Sequence, residues 1–244
     1  MRTLRFYVPL KLAVGKDYTL PEDKVRHIVQ VLRLSVGAEI VLFNGDGFEY
    51  SATLFEVTKK QSRVTILTKS KLNQESPLKI HLIQGLSKGD RMDITIQKTV
   101  ELGVNSIFPI NTARSNVKLS GERIVKKGDH WGKVIQSACE QSGRNVLPEL
   151  HEPSHFELAV GQYASTPMLK LILHPLANNR LSELSDEVGE VVLLVGPEGG
   201  FNEAELLLAE QSGFLGLSLG PRVLRTETAA MAMIAGLQAK WGDF

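Results

Sequence analysis

Hydrophobic and polar residues alternate in two different ways along the chain, and the change between them divides it into two parts. In residues 1–70, short apolar runs are separated by tight turns such as Asn44-Gly-Asp-Gly47, which predicts short strands. The predicted strands are 38–43, 48–57 and 62–68, and a helix over 21–32 precedes them. Short strands with tight turns are typical of a small β-barrel.

The polar stretch 71–77 interrupts this pattern, and we interpret it as a linker between two domains. In residues 78–244, strands and helices alternate. The predicted strands are 78–86, 105–110, 168–174, 190–195 and 215–219; the predicted helices are 90–102, 122–142 with an interruption near Gly128, a short one around Leu181, one that begins after Asn202, and 226–241. Such alternation predicts an α/β fold, a mostly parallel sheet with helices on both faces.

A glycine-rich loop, LVGPEGGF at residues 194–201, is the most informative local feature. It follows the predicted strand 190–195, and Asn202 with Glu205 forms a capping-box pattern that begins a helix. The loop therefore lies at a strand-to-helix turn, where backbone N–H groups are free. A second loop, 220–225, has the same setting, so we expect the two loops to line one pocket at the carboxyl ends of the strands.

Several other ligand-binding motifs are excluded. The loop after the first strand of the second domain, QGLSKG at 84–89, lacks the Rossmann glycine pattern, and GPEGG at 196–200 lacks the Lys-Ser/Thr of a P-loop. His151-Glu-Pro-Ser-His155 matches the zinc-protease signature by letter, but Pro153 is incompatible with the helix that this motif needs. The turn 44–47 lacks the ligand array of an EF-hand, so no metal site is expected.

The distribution of charge changes the picture more than the total does. The 244 residues carry a net charge of only +1, but residues 1–147 carry +9 and residues 148–244 carry −8. Because a polyanion needs a basic surface to bind to, this asymmetry favours a nucleic-acid partner; chance clustering on a solvated surface is the alternative. No apolar run approaches the roughly 20 residues needed to span a bilayer, and the amino terminus lacks a signal-peptide core, which favours the cytoplasm.

The single cysteine, Cys139, is predicted to be a buried core residue. It falls at helical spacing with Trp131, Ile135 and other apolar residues, which indicates one buried helix face. A thiolate nucleophile for pyrimidine C5 methylation is the alternative. The helix 226–241 is apolar nearly all round, so it is expected to be buried on most sides, in the core or at a subunit interface.

The paired loops, GPEGGF at 196–201 and LSLGPRVLRTETA at 217–229, resemble the SPOUT (trefoil-knot) RNA methyltransferases and, within them, the RsmE type, which methylates N3 of a uridine in 16S ribosomal RNA with S-adenosylmethionine. Segments across nearly the whole chain follow the order of that family. They are Arg5–Val8, His27–Arg33, Phe43–Gly47, Lys88–Asp93, Thr99–Gly103, Arg114–Ser115 and Glu140–Arg144. The resemblance implies a PUA-like, RNA-binding β-barrel over 1–70, a knotted sheet domain over 78–244, a homodimer, and ribosomal RNA of the small subunit as partner.

The resemblance also implies which residues bind S-adenosylmethionine. They are His174, Gly196, Pro197, Glu198, Gly199, Gly200, Leu217, Leu219, Gly220, Leu224, Thr228 and Ala229. An adenine ring needs flat apolar walls and a few converging backbone hydrogen bonds, which glycine-rich loops can give. For Glu198 two roles stay open, orienting the cofactor or a catalytic group, and anchoring the loop through backbone N–H groups.

Methylation of uridine N3 removes an imide proton and spreads negative charge onto the neighbouring carbonyl oxygens, so a cation is needed near that charge. The catalytic candidates are Arg114, Arg144 and Arg225 as the cation, and Glu140 and Glu227 as a base. The candidates for RNA contact are Arg5, Arg26, Arg33, Lys88 and Arg91. Gln136, Glu140 and Arg144 are spaced four apart, which predicts one helix face; phosphate binding or a surface ion pair is the alternative role for the charged candidates.

Two other functions stay open from the sequence. One is a related methyltransferase that acts on a ribose 2′-hydroxyl or a guanine of RNA. The other is a noncatalytic RNA-binding or ribosome-assembly protein that has kept the fold. Binding of S-adenosylmethionine distinguishes the enzymes from the assembly protein.

Overall fold

The structure is a computed structural model, which describes residues 4–72, 74–117, 119–184 and 187–244. The chain forms two compact units. The first unit consists of Met1–Glu75 and Cys139–Leu147, and the second consists of Ser76–Ala138 and Pro148–Phe244. The sequence pattern predicts a division at 71–77 but gives no sign that residues 139–147 return to the first unit.

The described part of the first unit contains a mixed sheet of five strands. They are β1 (Arg5–Tyr7), β2 (Asp17–Thr19), β3 (Glu39–Phe43), β4 (Glu49–Val57) and β5 (Ser62–Ser70), in the order β1-β3-β4-β5-β2. Helix α1 (Glu22–Arg26) continues into a π-helical turn (His27–Val31). The three predicted strands and the helix are therefore confirmed, whereas β1 and β2 are only three residues long and too short for a periodic signal.

The core of the first unit follows from the two-residue period of its strands. Tyr50, Ala52 and Leu54 of β4 are buried, while Ser51 between them is exposed. In β5, Val64 and Ile66 are buried in the same way. One face of the curved sheet is therefore apolar and closes over a common core.

Charged side chains hold residues 139–147 within this unit. The carboxylate of Glu140 accepts hydrogen bonds from Lys24 Nζ at 2.6 Å and from the backbone N–H of Tyr7 at 2.9 Å. Arg144, only 3% exposed, donates from Nη2 to Glu75 Oε2 at 2.6 Å. Buried charges are stable only when they are paired in this way.

The described part of the second unit contains a parallel sheet of seven strands. They are β6 (Lys79–Gly85), β7 (Ser106–Asn111), β8 (Glu149–Leu150), β9 (Ser154–His155), β10 (Leu169–Leu173), β11 (Glu190–Val195) and β12 (Leu215–Leu217). Their order is β12-β10-β11-β6-β7-β8, and β9 also pairs with β7. The predicted α/β class with a mostly parallel sheet is confirmed. The knot that the resemblance implies stays a prediction.

The α-helices of residues 78–244 are α2 (Arg91–Glu101), α3 (Glu122–Ser142), α4 (Phe156–Gly161), α5 (Glu203–Gln211) and α6 (Thr226–Trp241), with a 3-10 turn at Leu181–Glu183. The predicted interruption of α3 near Gly128 is wrong, because the helix runs through it. A single glycine weakens a helix by about 1 kcal/mol but does not break it. No helix in the described ranges is both long and apolar enough to cross a membrane.

Helix α6 is buried along one side only. Ala230, Met233, Ile234 and Leu237 are fully covered. Another stripe of the helix stays open, and its exposed members are Thr228, Ala232 and Ala239. The expectation that α6 is covered on most sides is therefore met only in part within one chain.

Cys139 is fully buried, as predicted, and burial raises the pKa of its thiol to about 12. We therefore expect the thiol to stay protonated and unreactive in the folded protein at pH 8, because only the thiolate is nucleophilic. The measurement is labelling with a coloured disulfide reagent. It should be at least about 100-fold slower in buffer than in denaturant, where the thiol has its ordinary pKa of about 8.5. Fast labelling of the folded protein would show that the thiol is accessible.

Candidate active site

A cavity of about 400 Å³ opens at the carboxyl ends of β10, β11 and β12. Its walls come from three stretches of chain and one further residue: residues 173–175, residues 195–201 except Gly199, part of residues 217–229, and Arg91. Ten of the twelve predicted cofactor residues line it: His174, Gly196, Pro197, Glu198, Gly200, Leu217, Leu219, Gly220, Leu224 and Ala229. The parallel sheet therefore brings the two glycine-rich loops together, as expected for this edge of an α/β sheet.

The other two predicted cofactor residues, Gly199 and Thr228, do not line the cavity. A Cβ atom on Gly199 would lie 2.9 Å from Cβ of Arg114 and 3.0 Å from its carbonyl oxygen. The close approach of Arg114 therefore requires a glycine at position 199, and contact of this residue with the cofactor stays a prediction. Thr228 is exposed, on the open stripe of α6.

The turn at 195–202 is held by the capping box that the sequence predicts. Asn202 Oδ1 accepts from the backbone N–H of Glu205 at 2.7 Å, and Glu205 Oε2 accepts from that of Asn202 at 2.9 Å. Gly200 has a φ of +66°, a conformation that favours glycine. At Gly85, a Cβ atom would lie 2.5 Å from the backbone nitrogen of Pro197. The end of β6 therefore has to be a glycine for the loop to pack against it.

One buried hydroxyl group connects the two glycine-rich loops. Thr226 Oγ1 donates to the carbonyl oxygen of Gly196 at 2.6 Å and accepts from Gln84 Nε2 at 2.9 Å. Gln84 lies in β6 and is completely buried. Three segments that are distant in sequence thus meet at one hydrogen-bonded point beneath the cavity. Sequence reasoning gave no role to Gln84 or Thr226, although both lie in segments that it singled out, because the hydrogen bond between them depends on the tertiary structure.

Glu198 is anchored at the rim of the cavity. Its Oε1 accepts from Arg91 Nη1 at 2.7 Å and from the backbone N–H of Lys88 at 3.1 Å. Burial raises the pKa of this carboxyl, but the hydrogen bonds from its own backbone N–H, from Arg91 and from Lys88, with the charge of Arg91, outweigh burial and leave the pKa below its usual range. Glu198 is therefore ionised at neutral pH and is a weak base.

Positive charge gathers at the same rim. Arg91, Arg222 and Arg225 all line the cavity. Arg225 is one of the predicted catalytic residues, whereas Arg91 is predicted from the sequence only as an RNA contact. Arg114 does not line the cavity; it is exposed, and its Nη1 donates to the carbonyl oxygen of Gly199 at 3.3 Å.

Glu140 and Arg144 are not brought to the cavity. Each is committed to an ion pair within the first unit, Glu140 with Lys24 and Arg144 with Glu75. The expectation of a shared helix face for both is wrong, because α3 ends at Ser142 and Gly143 then adopts a φ of +90°. Both side chains form ion pairs, but these pairs lie within the first unit and are largely buried, unlike the surface pair given as the alternative.

Glu227, the remaining candidate base, is 9% exposed in the first turn of α6. Its Oε2 has no hydrogen-bond partner among the described residues, and its side chain does not line the cavity. A role as base stays a prediction for this residue.

The candidates for RNA contact differ in their availability. Arg5 is turned inward, where Nη2 donates to Asn145 Oδ1 at 2.6 Å and the guanidinium forms an ion pair with Glu49. It is therefore corrected from an RNA contact to an internal link of the first unit. Arg26, Arg33 and Lys88 are exposed, so their phosphate contacts stay predictions.

Family models match both parts of the chain. Residues 74–238 match an RNA methyltransferase domain, and residues 20–67 match an RNA methyltransferase PUA domain. Among curated proteins, the ribosomal RNA small subunit methyltransferase E of Buchnera aphidicola subsp. Schizaphis graminum is 36% identical over 242 residues, which cover 99% of this chain and 98% of that protein.

Solved structures agree over the full length. A methyltransferase from Legionella pneumophila, in complex with the bound cofactor SAM, is 44% identical with a TM-score of 0.96. The ribosomal RNA small subunit methyltransferase E of Neisseria gonorrhoeae, bound to S-adenosyl methionine, is 41% identical with a TM-score of 0.92. Each comparison covers 100% of this chain and 100% of the other.

Replacing Thr226 with valine keeps the shape of the side chain but removes the hydroxyl that joins Gly196 to Gln84. We expect Thr226→Val to lower the free energy of unfolding by about 1–3 kcal/mol, since two buried polar groups lose their partner. Thr226→Ser, which keeps the hydroxyl, should lower the free energy of unfolding clearly less. Urea unfolding of the three proteins measures the difference, and equal stability of the valine and serine variants would contradict the bridging role.

Proposed function

The chain belongs to the RNA methyltransferase family, and we propose that it methylates N3 of a uridine in small-subunit ribosomal RNA, with S-adenosylmethionine as the methyl donor. The relatives named ribosomal RNA small subunit methyltransferase E match it over nearly their full length. Dependence on S-adenosylmethionine and action on small-subunit ribosomal RNA follow from this membership. The choice of uridine N3 is our finer proposal, and the resemblance of the paired loops supports it.

The observation that carries the proposal is the cavity between the two glycine-rich loops. Its volume lies within the range of about 300–1,000 Å³ that is usual for small-molecule sites. Leu217, Leu219 and Leu224 give apolar walls suited to a flat purine ring. Gly196 and Gly220 leave backbone groups uncovered by side chains, and these suit the polar edges of a nucleoside. The residues present therefore fit S-adenosylmethionine.

The cofactor supplies an electrophilic methyl group on a sulfonium sulfur. The protein has to hold the uracil ring against the cavity and stabilise the negative charge that develops on the carbonyl oxygens beside N3. The arginines at the rim are suited to this task, because a guanidinium is always charged and donates in a planar fork. Glu198 is held as an ion-paired carboxylate whose pKa lies below the usual range, so it is not suited to accept the proton on N3.

The test combines binding with identification of the product. The purified protein should bind S-adenosylhomocysteine in calorimetry and, with S-adenosylmethionine, convert unmodified small ribosomal subunits to a product that contains 3-methyluridine, identified by mass spectrometry of nucleosides. We expect Ala229→Trp to abolish both, because its side chain would fill the cavity, and Leu207→Trp on the exposed side of α5 to abolish neither.

Each other outcome identifies a different protein. A 2′-O-methylated nucleoside or a methylguanosine as product would replace the proposed target atom and keep the enzyme class. Absence of binding to S-adenosylmethionine and S-adenosylhomocysteine would leave the noncatalytic RNA-binding or assembly function. If circular dichroism shows that Ala229→Trp is unfolded, Leu219→Trp, at another residue that lines the cavity, takes its place in the test.

We further propose that the protein acts in the cytoplasm as a homodimer. The cytoplasm follows from its proposed ribosomal substrate. The open stripe of α6, with Thr228, Ala232 and Ala239 exposed, gives a second chain a surface on which helices can approach closely. This stripe begins one residue from Ala229, which lines the cavity, so a partner bound there would sit beside the active site.

Ala232→Arg places a charge in the middle of that stripe without touching the core of one chain, since position 232 is exposed. We expect the variant to remain folded and to become monomeric, and light scattering coupled to size exclusion measures the mass. Glu210→Arg, a charge change on the exposed side of α5, is the control that should leave the mass unchanged. A monomeric wild type, or a variant that keeps the wild-type dimer mass, would contradict this interface.

A further inference from the structure

We propose that Arg91 is the cation that stabilises the negative charge on the target uracil, and that Glu198 is a positioning residue that orients Arg91. This inference rests on the proposed function, because it assigns roles in the methylation of N3. It differs from the sequence expectation, which placed the cation at Arg114, Arg144 or Arg225 and gave Arg91 only to RNA contact.

Arg91 is held in place at the rim of the cavity. Arg91 is the first residue of α2, so the backbone from which its side chain extends is fixed by a helix. Arg91 lines the cavity, and within the described residues its guanidinium forms one hydrogen bond, from Nη1 to Glu198 Oε1 at 2.7 Å. A guanidinium has five N–H donors, so this single bond fixes the direction of the group and leaves the other donors for a substrate. A planar fork of free donors suits a carbonyl oxygen that is gaining charge.

Glu198 is restrained by hydrogen bonds to its carboxylate. Its carboxylate is held by Arg91 and by the backbone N–H of Lys88 at 3.1 Å, and its side chain is only 21% exposed. The hydrogen bonds keep its pKa below the usual range, so it does not compete for the proton on N3. The chemistry left for Glu198 is to hold the arginine. Both roles that the sequence leaves open are combined here, since the same carboxylate oxygen bonds to the backbone of Lys88 and to the guanidinium of Arg91.

The other candidate arginines are either paired elsewhere or not oriented before the substrate binds. Arg144 is buried in an ion pair with Glu75, away from the cavity lining. Arg222 and Arg225 line the cavity, but within the described chain neither has a hydrogen bond or ion pair from its guanidinium. A long side chain without a partner loses rotamer entropy when it meets the substrate, whereas Arg91 is already oriented.

Atoms and electrons balance in the transfer of the methyl group to N3. The N3–H bond of uracil breaks and its proton passes to solvent, which leaves the electron pair on N3 and charge on the adjacent carbonyl oxygens. Arg91 donates to one of these oxygens. The N3 pair forms the new N–C bond, the C–S bond of the sulfonium breaks, and its electrons remain on sulfur. No oxidant, reductant or metal is required.

The experiment is a double-mutant cycle with Arg91→Gln, Glu198→Gln and the variant that carries both. We expect Arg91→Gln to lower kcat by about 10²–10³-fold, as for loss of a preorganised donor to a developing charge. Glu198→Gln should lower kcat by about tenfold, and by less than about twofold when Arg91 is already glutamine. Arg91→Lys keeps the charge but not the planar fork of donors, so its kcat should lie between those of wild type and Arg91→Gln.

The pH profile gives a readout that loss of a merely structural contact would not move. If Arg91 stabilises the uracil anion, the rising limb of kcat against pH should move upward by about one pH unit or more in Arg91→Gln. The guanidinium itself stays charged throughout this range, so the limb reports loss of the proton from uracil N3. Affinity for S-adenosylhomocysteine, measured by calorimetry without RNA, should stay within about threefold of wild type.

A matched control pair lies on the same helix. Lys98 Nζ bonds to Glu101 Oε1 at 2.9 Å, and the side chains are 43% and 25% exposed, against 43% and 21% for Arg91 and Glu198. Neither lines the cavity. Lys98→Gln and Glu101→Gln should therefore change the stability of the protein as much as the test variants do and leave kcat and its pH profile unchanged.

Three results would overturn the assignment. An unchanged kcat with weaker RNA binding would make Arg91 a phosphate contact. A fall in S-adenosylhomocysteine affinity as large as the fall in activity would make it a cofactor ligand. Additive effects in the cycle would remove Glu198 from its positioning role. These outcomes are separate from failure of the proposed function, which would appear in wild type as absence of 3-methyluridine.

Discussion

The cavity depends on the buried hydroxyl of Thr226, which holds the two glycine-rich loops to each other. It bonds to Gly196 in the loop after β11 and to Gln84 at the end of β6, while Gly85 lets Pro197 pack against the same strand end. Loops at the edge of a sheet are ordinarily its most mobile parts. Here the two that form the walls are joined to a buried residue of the sheet, so the cavity exists before a ligand enters it.

Charge is used for two different purposes in the two units. In the first, Lys24 with Glu140 and Arg144 with Glu75 are buried pairs that hold residues 139–147 in place. In the second, the pair formed by Arg91 and Glu198 is half open and lies at the cavity rim. The side chains of the buried pairs are largely covered by protein and out of reach of a ligand, whereas Arg91 at the rim keeps donors free. Residue type alone does not separate these cases, since both consist of an arginine or lysine beside a glutamate.

The sequence was most informative where a signal is local. The period-2 pattern of β4 and β5, the alternation of strands and helices after residue 77, and the capping box of Asn202 with Glu205 each involve residues a few positions apart, and all three appear in the structure. The predicted break of α3 at Gly128 is wrong, because the cost of about 1 kcal/mol for a glycine inside a helix is outweighed by the rest of a 21-residue helix. Both short strands β1 and β2 were missed because three residues carry no period.

By itself, the sequence determined the fold class and the two loops, because loops at the carboxyl ends of parallel strands share one edge of a sheet, and its resemblance to a known family supplied ten of the residues that line the cavity. Only the tertiary structure decided which charged residues stand at that cavity. Glu140 and Arg144 form ion pairs within the first unit, whereas Arg91 pairs at the rim with Glu198, 107 positions away. The structure also shows that Arg114 packs closely against Gly199. A side chain's partner across such a separation is set by packing of the whole chain, and no local pattern encodes it.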